Sequence, residues 1–523
     1  MKRMLLTGTM AVLSVAVTAA GKPVTPAEVT LKVGPDRVKT PLQVNLKRIG
    51  TVRPRSTDEI RSSNWVIGCE TLDRDFANFD QYKRFLKPLG IKALRLQSGW
   101  YRCEKEKGKY DFGWLDKQVD FALANGINPT LETSYGNQLY KGGSSHNLAI
   151  GGFPSGEGRV GWNNWVRALA RHFKGRVRDW LMWNEPDNAL YEQPERMPEL
   201  TAEFNVGTAK IILEEIPDAR IGAICASTYG KDESEQSFGK CLDFMGKDRD
   251  LFTWIVYHGY GRCPDAGDAS IEFLKEVLAK RGIPALKLWQ GEAGCPSEAT
   301  ACGAMSQVQW SEYSQAKWDM RRMLGDLGHG VRSLVYSISD LQYTDYPDGK
   351  PRHNPKGLLR TNDKCEVVGV KCAYYAVQNV VSVFDDTVEH VRESDVENQN
   401  PFRAIYEFRK DTGARIYAFW TFADYSERDP RDKGLPTIKC RPFIIHYIRP
   451  GDAFDATPCA IRTKNVPPLE DPVFVDLLTG AVYEYPRDLI NVNSEGATYL
   501  EVPTYDSPCL LAEKSAIDFV PAE

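Results

Sequence analysis

Between residues 65 and 336 the chain repeats one pattern eight times: a short apolar run, a turn, and a stretch of helical periodicity. The runs are Trp65–Gly68, Ala93–Leu96, Asn128–Glu132, Trp180–Trp183, Ile221–Ile224, Trp254–Tyr257, Leu286–Trp289 and Ser333–Tyr336. Apolar residues recur at three- and four-residue intervals over Phe79–Leu89, Trp114–Asn125, Trp162–Phe173 and Ile271–Lys280, and a last helix is expected over Val368–Val383. Gly90, Gly126, Gly175 and Gly282 follow helix ends, where a left-handed cap suits glycine. Runs this short and apolar suit parallel strands buried on both faces. Eight strands separated by helices predict an α/β fold, a (β/α)8 TIM barrel spanning residues 61–385.

The pattern changes near Val388. Phe402–Phe408, Arg415–Trp420, Pro442–Tyr447, Val473–Asp476 and Ala481–Glu484 read as short strands, with Thr479-Gly480 as a hairpin turn. Residues 386–523 are therefore expected to form an accessory β-sandwich. The alternating segments Val29–Val33 and Leu42–Leu46, within residues 21–60, are expected to join it.

Residues 1–20 read as a signal peptide: Lys2 and Arg3, an apolar stretch from Met4 to Val17, and a small-residue cleavage region at Val17-Thr18-Ala19-Ala20. The run is shorter than the ~20 residues that cross a bilayer, so a secreted or periplasmic protein with no mature membrane span is expected. In that compartment the 12 cysteines can pair, and Cys295 and Cys302 are spaced either to bridge one loop or to remain thiols. No Cys-x-x-Cys or His-Glu-x-x-His occurs, so zinc is unsupported, and neither metal nor cofactor is expected. A net charge of −4 without a basic run gives nucleic acid no electrostatic footprint. Gly156-x-Gly158-x-x-Gly161 has dinucleotide-loop spacing, but no strand leads directly into it. The 12 tryptophans and 23 tyrosines fit either sugar stacking or a large core.

Two of the eight strand ends carry chemistry. Trp183-Asn184-Glu185-Pro186 follows the fourth run, and Gln290-Gly291-Glu292 follows the seventh. A parallel barrel gathers such positions at its C-terminal face. Two convergent carboxylates are the machinery of glycoside hydrolysis, one protonating the leaving oxygen while the other attacks or activates water.

Asn-Glu after strand four with a second glutamate after strand seven resembles clan A of the glycoside hydrolases. Asp187-Asn188 and the small sandwich look most like family 39, the β-xylosidase and α-L-iduronidase group. The resemblance covers roughly residues 60–385 and implies a retaining mechanism with a carbohydrate partner. Glu185 would be the acid/base and Glu292 the nucleophile, ~5–5.5 Å apart, with Glu185 holding its proton while Glu292 stays ionised. By the same resemblance Asn184 would bond the sugar 2-hydroxyl and Arg95 would keep the nucleophile charged. His258 and Tyr260 would line the nucleophile, the tyrosine donating to it. Trp100, Tyr135, Asn137, Trp289 and Asp340 could stack on or bond the sugar, or simply pack. Glu70 could reach a distal hydroxyl or be solvated.

The long third loop, about Tyr135–Gly161 with Tyr140 and His146, and the loop after strand eight, with Tyr343, Tyr346 and His353, would wall the site. Such walls favour a pocket and exo action on plant-type oligosaccharides such as β-xylosides. The competing expectations are a clan A endo-glycanase, and a barrel that binds carbohydrate without cleaving it. A serine hydrolase would need a Gly-x-Ser-x-Gly elbow, which is absent.

Overall fold

The computed structural model describes residues 44–147, 152–227, 234–261, 263–300, 302–306, 310–344, 349–398, 403–421 and 457–523, preceded by 29–32, 34 and 37–38. The expected signal peptide and the expected strand at Pro442–Tyr447 lie outside these residues, as does Tyr346.

Strand β1 (Arg48–Val52) precedes a closed barrel of eight parallel strands. These are β2 (Trp65–Gly68), β3 (Ala93–Gln97), β4 (Asn128–Glu132), β5 (Asp179–Leu181), β6 (Arg220–Ala226), β7 (Trp254–His258), β8 (Lys287–Glu292) and β9 (Arg332–Val335). Pairing of Trp65 with Ser333 and Ile67 with Val335 closes the ring. Every residue of β2, β3 and β7 is buried, which is why the sequence shows continuous apolar runs here rather than alternation. The helix Glu157–Phe173 packs Trp162, Trp165, Val166, Leu169 and Phe173 inward, one stripe at helical spacing. Of the three glycines with dinucleotide-loop spacing, Gly156 caps this helix at φ 53°, and Gly158 and Gly161 serve close packing at its start. A Cβ on Gly158 would meet Gly142 O at 2.3 Å, and one on Gly161 would meet the Tyr140 ring at 2.8 Å.

Two expected helices differ. Phe79–Leu89 is three short pieces, Phe79–Tyr82, a 3-10 turn Lys83–Phe85, and Leu86–Leu89. Pro88 has no N–H to donate to the Arg84 carbonyl four residues back, so the α-helical ladder is interrupted at the 3-10 turn. The last helix starts only at Cys372 and runs to Val383, because Val367–Val370 pairs as a strand with Leu359–Thr361. Val-Val-Gly-Val is β-branched with a glycine, a poor helix start.

The C-terminal region is two antiparallel sheets of eight and four strands. In the larger sheet Arg415–Thr421 lies between Arg403–Lys410 and Cys509–Glu513. Along Arg415–Thr421, Ile416, Ala418 and Trp420 join the core shared with the barrel, while Tyr417 and Phe419 face the second core with Phe474, Tyr499 and Leu511. The period-two pattern thus packs both faces of one sheet. The hairpin at Thr479-Gly480 joins Pro472–Asp476 to Ala481–Glu484, with Gly480 at φ 76°. From residues 21–60 the strand that joins this sheet is β1, between Ala481–Glu484 and Phe519–Pro521. Val33, Leu42 and Gln43 of the two alternating segments lie outside the described residues, and Val44 and Leu46 pack against the sandwich core. The helix Glu312–Gly328 seals the seam with buried charges: Lys317 Nζ donates to Asp506 Oδ1 at 2.7 Å, and Arg321 pairs with Asp265, which also accepts from Trp420 Nε1 at 2.6 Å.

Candidate active site

β5 ends at Leu181, so Glu185 sits beyond the strand rather than on it. Its backbone turns through φ 48° and donates to Cys225 O at 3.0 Å, and Pro186 then opens a single helical turn, Pro186–Ala189. Glu292 ends β8 at a bulge: Tyr257 pairs with Gln290 but His258 pairs with Glu292, so Gly291 is skipped. Such an irregularity re-aims the side chain that follows it.

These two turns bring the carboxylates together. One oxygen of Glu185, one ring nitrogen of His258 and one oxygen of Glu292 all lie within 4.8 Å of one another. His258 Nδ1 is 2.8 Å from Glu185 Oε1 and 3.9 Å from Glu292 Oε2. Asn188 Nδ2 donates to the other Glu185 oxygen at 2.7 Å. Glu292 accepts from Tyr260 Oη at 2.9 Å on Oε1 and from Arg95 Nη1 at 2.8 Å on Oε2.

Arg95 is the hub. Fully buried on β3, it also donates to Gly291 O at 2.8 Å and to Asn184 Oδ1 at 2.5 Å, and pairs with Glu132. Glu132, at the end of β4, is a site residue that the sequence reading missed. Its position, a glutamate closing a barrel strand, was the available signal. Gln97 and Ser134 donate to its second oxygen at 3.2 and 2.9 Å. Asn184 Nδ2 donates to Tyr135 Oη at 2.9 Å, which orients the amide beside Glu185. Glu70 lies 3.2 Å from Arg95, and neither of its buried oxygens accepts a hydrogen bond.

Burial and charge set the protonation states. Burial works to raise the Glu292 carboxyl, but His258 and Arg95, with the hydrogen bonds from Arg95 and Tyr260, outweigh it and hold the group below the usual carboxylate range. Burial pushes Glu70 up to about 8 against the pull of Arg95, and raises Glu132 as well. His258 is raised although burial opposes its charge, because Glu292 and Glu185 favour the cation. Glu185, His258 and Glu292 are close enough to be metal ligands. The guanidinium on Glu292 and the cationic tendency of His258 nevertheless set two positive charges against any ion there.

Four expected sugar contacts are corrected. Trp100 is fully buried, stacked on Tyr140 at 5.4 Å and Trp165 at 5.9 Å, with Nε1 donating to Glu104. Asn137 spends its amide on Glu104 O at 2.9 Å and Leu139 N at 3.1 Å. Trp289 packs on Trp254 at 5.2 Å and under Arg332 at 4.1 Å, beside residues that begin strands, at the end of the barrel away from the two glutamates. Asp340 pins a loop, accepting from Lys371 Nζ at 2.5 Å and Gly357 N at 2.9 Å. Asp340→Ala would strand Lys371 in the interior without its carboxylate, so a loss of about 3–5 kcal/mol is expected in urea unfolding. The folded fraction should keep its KM. A raised KM at unchanged stability would return Asp340 to the sugar. Of the two alternatives for Cys295 and Cys302 the structure has the second: all the described cysteines, these two included, are free thiols.

Residues 52–283 match the family model of glycosyl hydrolases family 39, a span that includes Glu185 and stops short of Glu292. No curated protein matches the chain. Among solved structures it is similar to a family 39 glycoside hydrolase from the gut symbiont Bacteroides cellulosilyticus (18% identity, 87% of this chain and 81% of that one, TM-score 0.61). It is similar also to a family 39 enzyme from Xanthomonas axonopodis pv. citri (17%, 90% and 98%, TM-score 0.54). A third is a monomeric β-xylosidase from Caulobacter crescentus (16%, 89% and 97%, TM-score 0.53). At these identities the structures speak for the barrel and its accessory sheets.

Proposed function

We propose that this glycosidase, a clan A glycoside hydrolase most like family 39, cleaves its substrate with retention of configuration, Glu292 attacking the anomeric carbon and Glu185 serving as acid and then base. The observation that carries the reading is the spacing of the carboxylates, with oxygens within 4.8 Å. Retaining pairs stand ~5–5.5 Å apart, whereas inverting pairs need ~6.5–9.5 Å to admit a water. Asn184, locked between Arg95 and Tyr135, offers its amide to the hydroxyl next to the reacting carbon. Arg95, Tyr260 and His258 keep the nucleophile charged. NMR of the first-formed sugar from an aryl glycoside tests the reading: the anomer should match the substrate, and the opposite anomer would overturn it.

The substrate class we propose is plant-type oligosaccharides such as β-xylosides, attacked at chain ends. The long loops around the mouth support exo action, and the name of the Caulobacter protein, a β-xylosidase, supports the sugar. We also propose export, on the strength of Lys2, Arg3 and the apolar run after them. A mature N-terminus near Gly21, read by mass spectrometry, would test this.

The charge state of Glu292 gives a pH expectation. A depressed nucleophile stays ionised below the ordinary glutamate value of ~4.3, so the acid limb of kcat/KM should fall below about pH 4.3. Arg95→Met should move that limb upward, and a limb that stays put would remove Arg95 from this role. In stability the signs are opposite for the two groups. Glu292 contributes above ~4.3 and loses its contribution as pH falls through its depressed value, whereas His258 contributes below ~6.5 and loses its contribution as pH rises through its raised value.

A further inference from the structure

Tyr260 lies on no strand. β7 ends at His258, and the chain then crosses to the helix Gly267–Lys280 through residues 259–266. The phenol nonetheless meets Glu292 Oε1 at 2.9 Å. A side chain on a loop keeps such a distance only if the loop itself is held. One face of the helix Glu312–Gly328 provides part of the hold. Trp318 Nε1 donates to Gly261 O at 2.9 Å, Arg322 Nη1 to Pro264 O at 3.0 Å, and Arg321 Nε to Asp265 Oδ2 at 3.0 Å. Positions 318, 321 and 322 are three and four residues apart, so these side chains leave the helix on one side, and all three are buried.

The rest of the hold comes from the accessory sheet. Trp420, fully buried on the strand Arg415–Thr421, donates from Nε1 to the other oxygen of Asp265 at 2.6 Å. The Asp265 side chain is 3% exposed, so little water can stand in for the indole. An N–H on a buried carboxylate is a charge-assisted bond, and its removal leaves that oxygen short of a donor. The helix is tied to the same region of the sandwich, with Lys317 Nζ on Asp506 Oδ1 at 2.7 Å and Arg321 Nη1 on Asp506 O at 3.3 Å. A continuous path of contacts thus runs from Trp420 through Asp265 and the loop to Tyr260 and Glu292. The other charged groups that face Glu292, namely Arg95, His258, Glu185, Glu70, Glu132 and Lys356, sit on barrel strands or on the turns and loops that follow them.

We infer that Trp420 and Asp265 are positioning residues for the reaction: through them the accessory sheet sets the loop that places the Tyr260 phenol on Glu292. The inference rests on the reading of Glu292 as nucleophile and gives the sandwich a task in it. The barrel supplies both glutamates, and the sheet completes the orientation of one of them. Without the Trp420 N–H the loop keeps its contacts to Trp318 and Arg322 but loses part of its hold at Asp265. The phenol then has no fixed distance to Oε1, and Glu292 loses some of the hydrogen bonding that favours its charge. Asn184 and Glu185, held by other partners, stay as they are.

The test compares full-length wild type, Tyr260→Phe, Trp420→Phe and the double variant on an aryl β-xyloside. Tyr260→Phe should lower kcat about tenfold or more, the worth of one hydrogen bond to a charged group, and move the acid limb of kcat/KM upward. Trp420→Phe keeps an apolar ring and removes only the donor, so it should lower kcat about three- to tenfold, leave KM within about twofold, and move the limb the same way. The two losses should not multiply, because both act at one hydrogen bond, and the double variant should match Tyr260→Phe. Purely structural damage would multiply, and would lower the urea midpoint with the acid limb in place. Trp318→Phe, which removes the donor to Gly261 O, carries the same expectations and replaces Trp420→Phe if that variant does not fold. Multiplying losses, or an unchanged kcat and acid limb, would overturn the proposal. NMR titration of the 13C-labelled Glu292 carboxyl, assigned with Glu292→Gln, separates this from failure of the glycosidase reading, since it needs no turnover. The carboxyl should titrate higher in Trp420→Phe than in wild type, and an unmoved titration refutes the proposal whether or not any glycoside is cleaved.

Discussion

Glu292→Ala is expected to lower kcat on every glycoside by about 10⁴-fold or more, as loss of a covalent nucleophile does in other enzymes. No other group can replace it. Glu185 faces the leaving group, Glu132 is occupied by Arg95, Gln97 and Ser134, and burial favours the neutral form of Glu70. The loss should not depend on the leaving group, since without the nucleophile no glycosyl-enzyme forms from any substrate. Removing the side chain also opens space beneath the sugar ring. Azide entering there would attack the face opposite the leaving group and yield the glycosyl azide of inverted configuration. Proton NMR of that product is the check. A retained azide from Glu292→Ala, or a loss below about 100-fold, would remove Glu292 from the nucleophile's position.

Glu185→Ala should fail in a different manner. For a natural linkage, whose leaving group is another sugar, the missing proton should cost about 10²–10⁴-fold, the usual range for general acid catalysis. For an aryl glycoside with an acidic phenol the bond breaks without protonation, so the first step survives and the glycosyl-enzyme accumulates. A burst of phenol followed by slow turnover is the expected trace. Azide needs no base, so it should restore turnover and give the azide of retained configuration. The partners of Glu185 add a second readout. His258 Nδ1 at 2.8 Å and Asn188 at 2.7 Å both lose their acceptor, while Arg95 and Tyr260 keep theirs on Glu292. The acid limb of kcat/KM, governed by Glu292, should therefore move little. Equal losses on sugar and aryl leaving groups would show that Glu185 does not supply the proton.

The barrel was legible because its physics is local. Strands buried on both faces must be short and apolar, and the helices between them must carry an apolar stripe. The runs found in the sequence therefore match the strands to within two or three residues at each end. Where local rules compete the reading slipped. Pro88 breaks a helix that the apolar spacing favoured, and Val367–Val370 pairs as a strand where the spacing continued a helix. Alternation alone does not say which part of residues 21–60 finds a partner in the sheet; β1 is fixed by its two neighbours there.

For the site, the sequence by itself determined which two glutamates follow the fourth and seventh barrel strands and gather at the C-terminal end of the barrel, because position along a parallel strand maps directly onto height in the barrel. It did not determine where a side chain points or which neighbour claims its hydrogen bonds. Trp100, Asn137, Trp289 and Asp340 stand at or after strands as Glu185 and Glu292 do, yet each is absorbed by its surroundings. The difference arises from contacts between segments far apart in the chain. Arg95 reaches Glu132, Asn184 and Glu292 at once, the skipped Gly291 re-aims Glu292, and the left-handed turn at Glu185 is held by Cys225 O. A buried charge is tolerated only where such partners converge. That convergence depends on closure of the barrel, and so the choice between a catalytic group and a packed one was made by the tertiary structure.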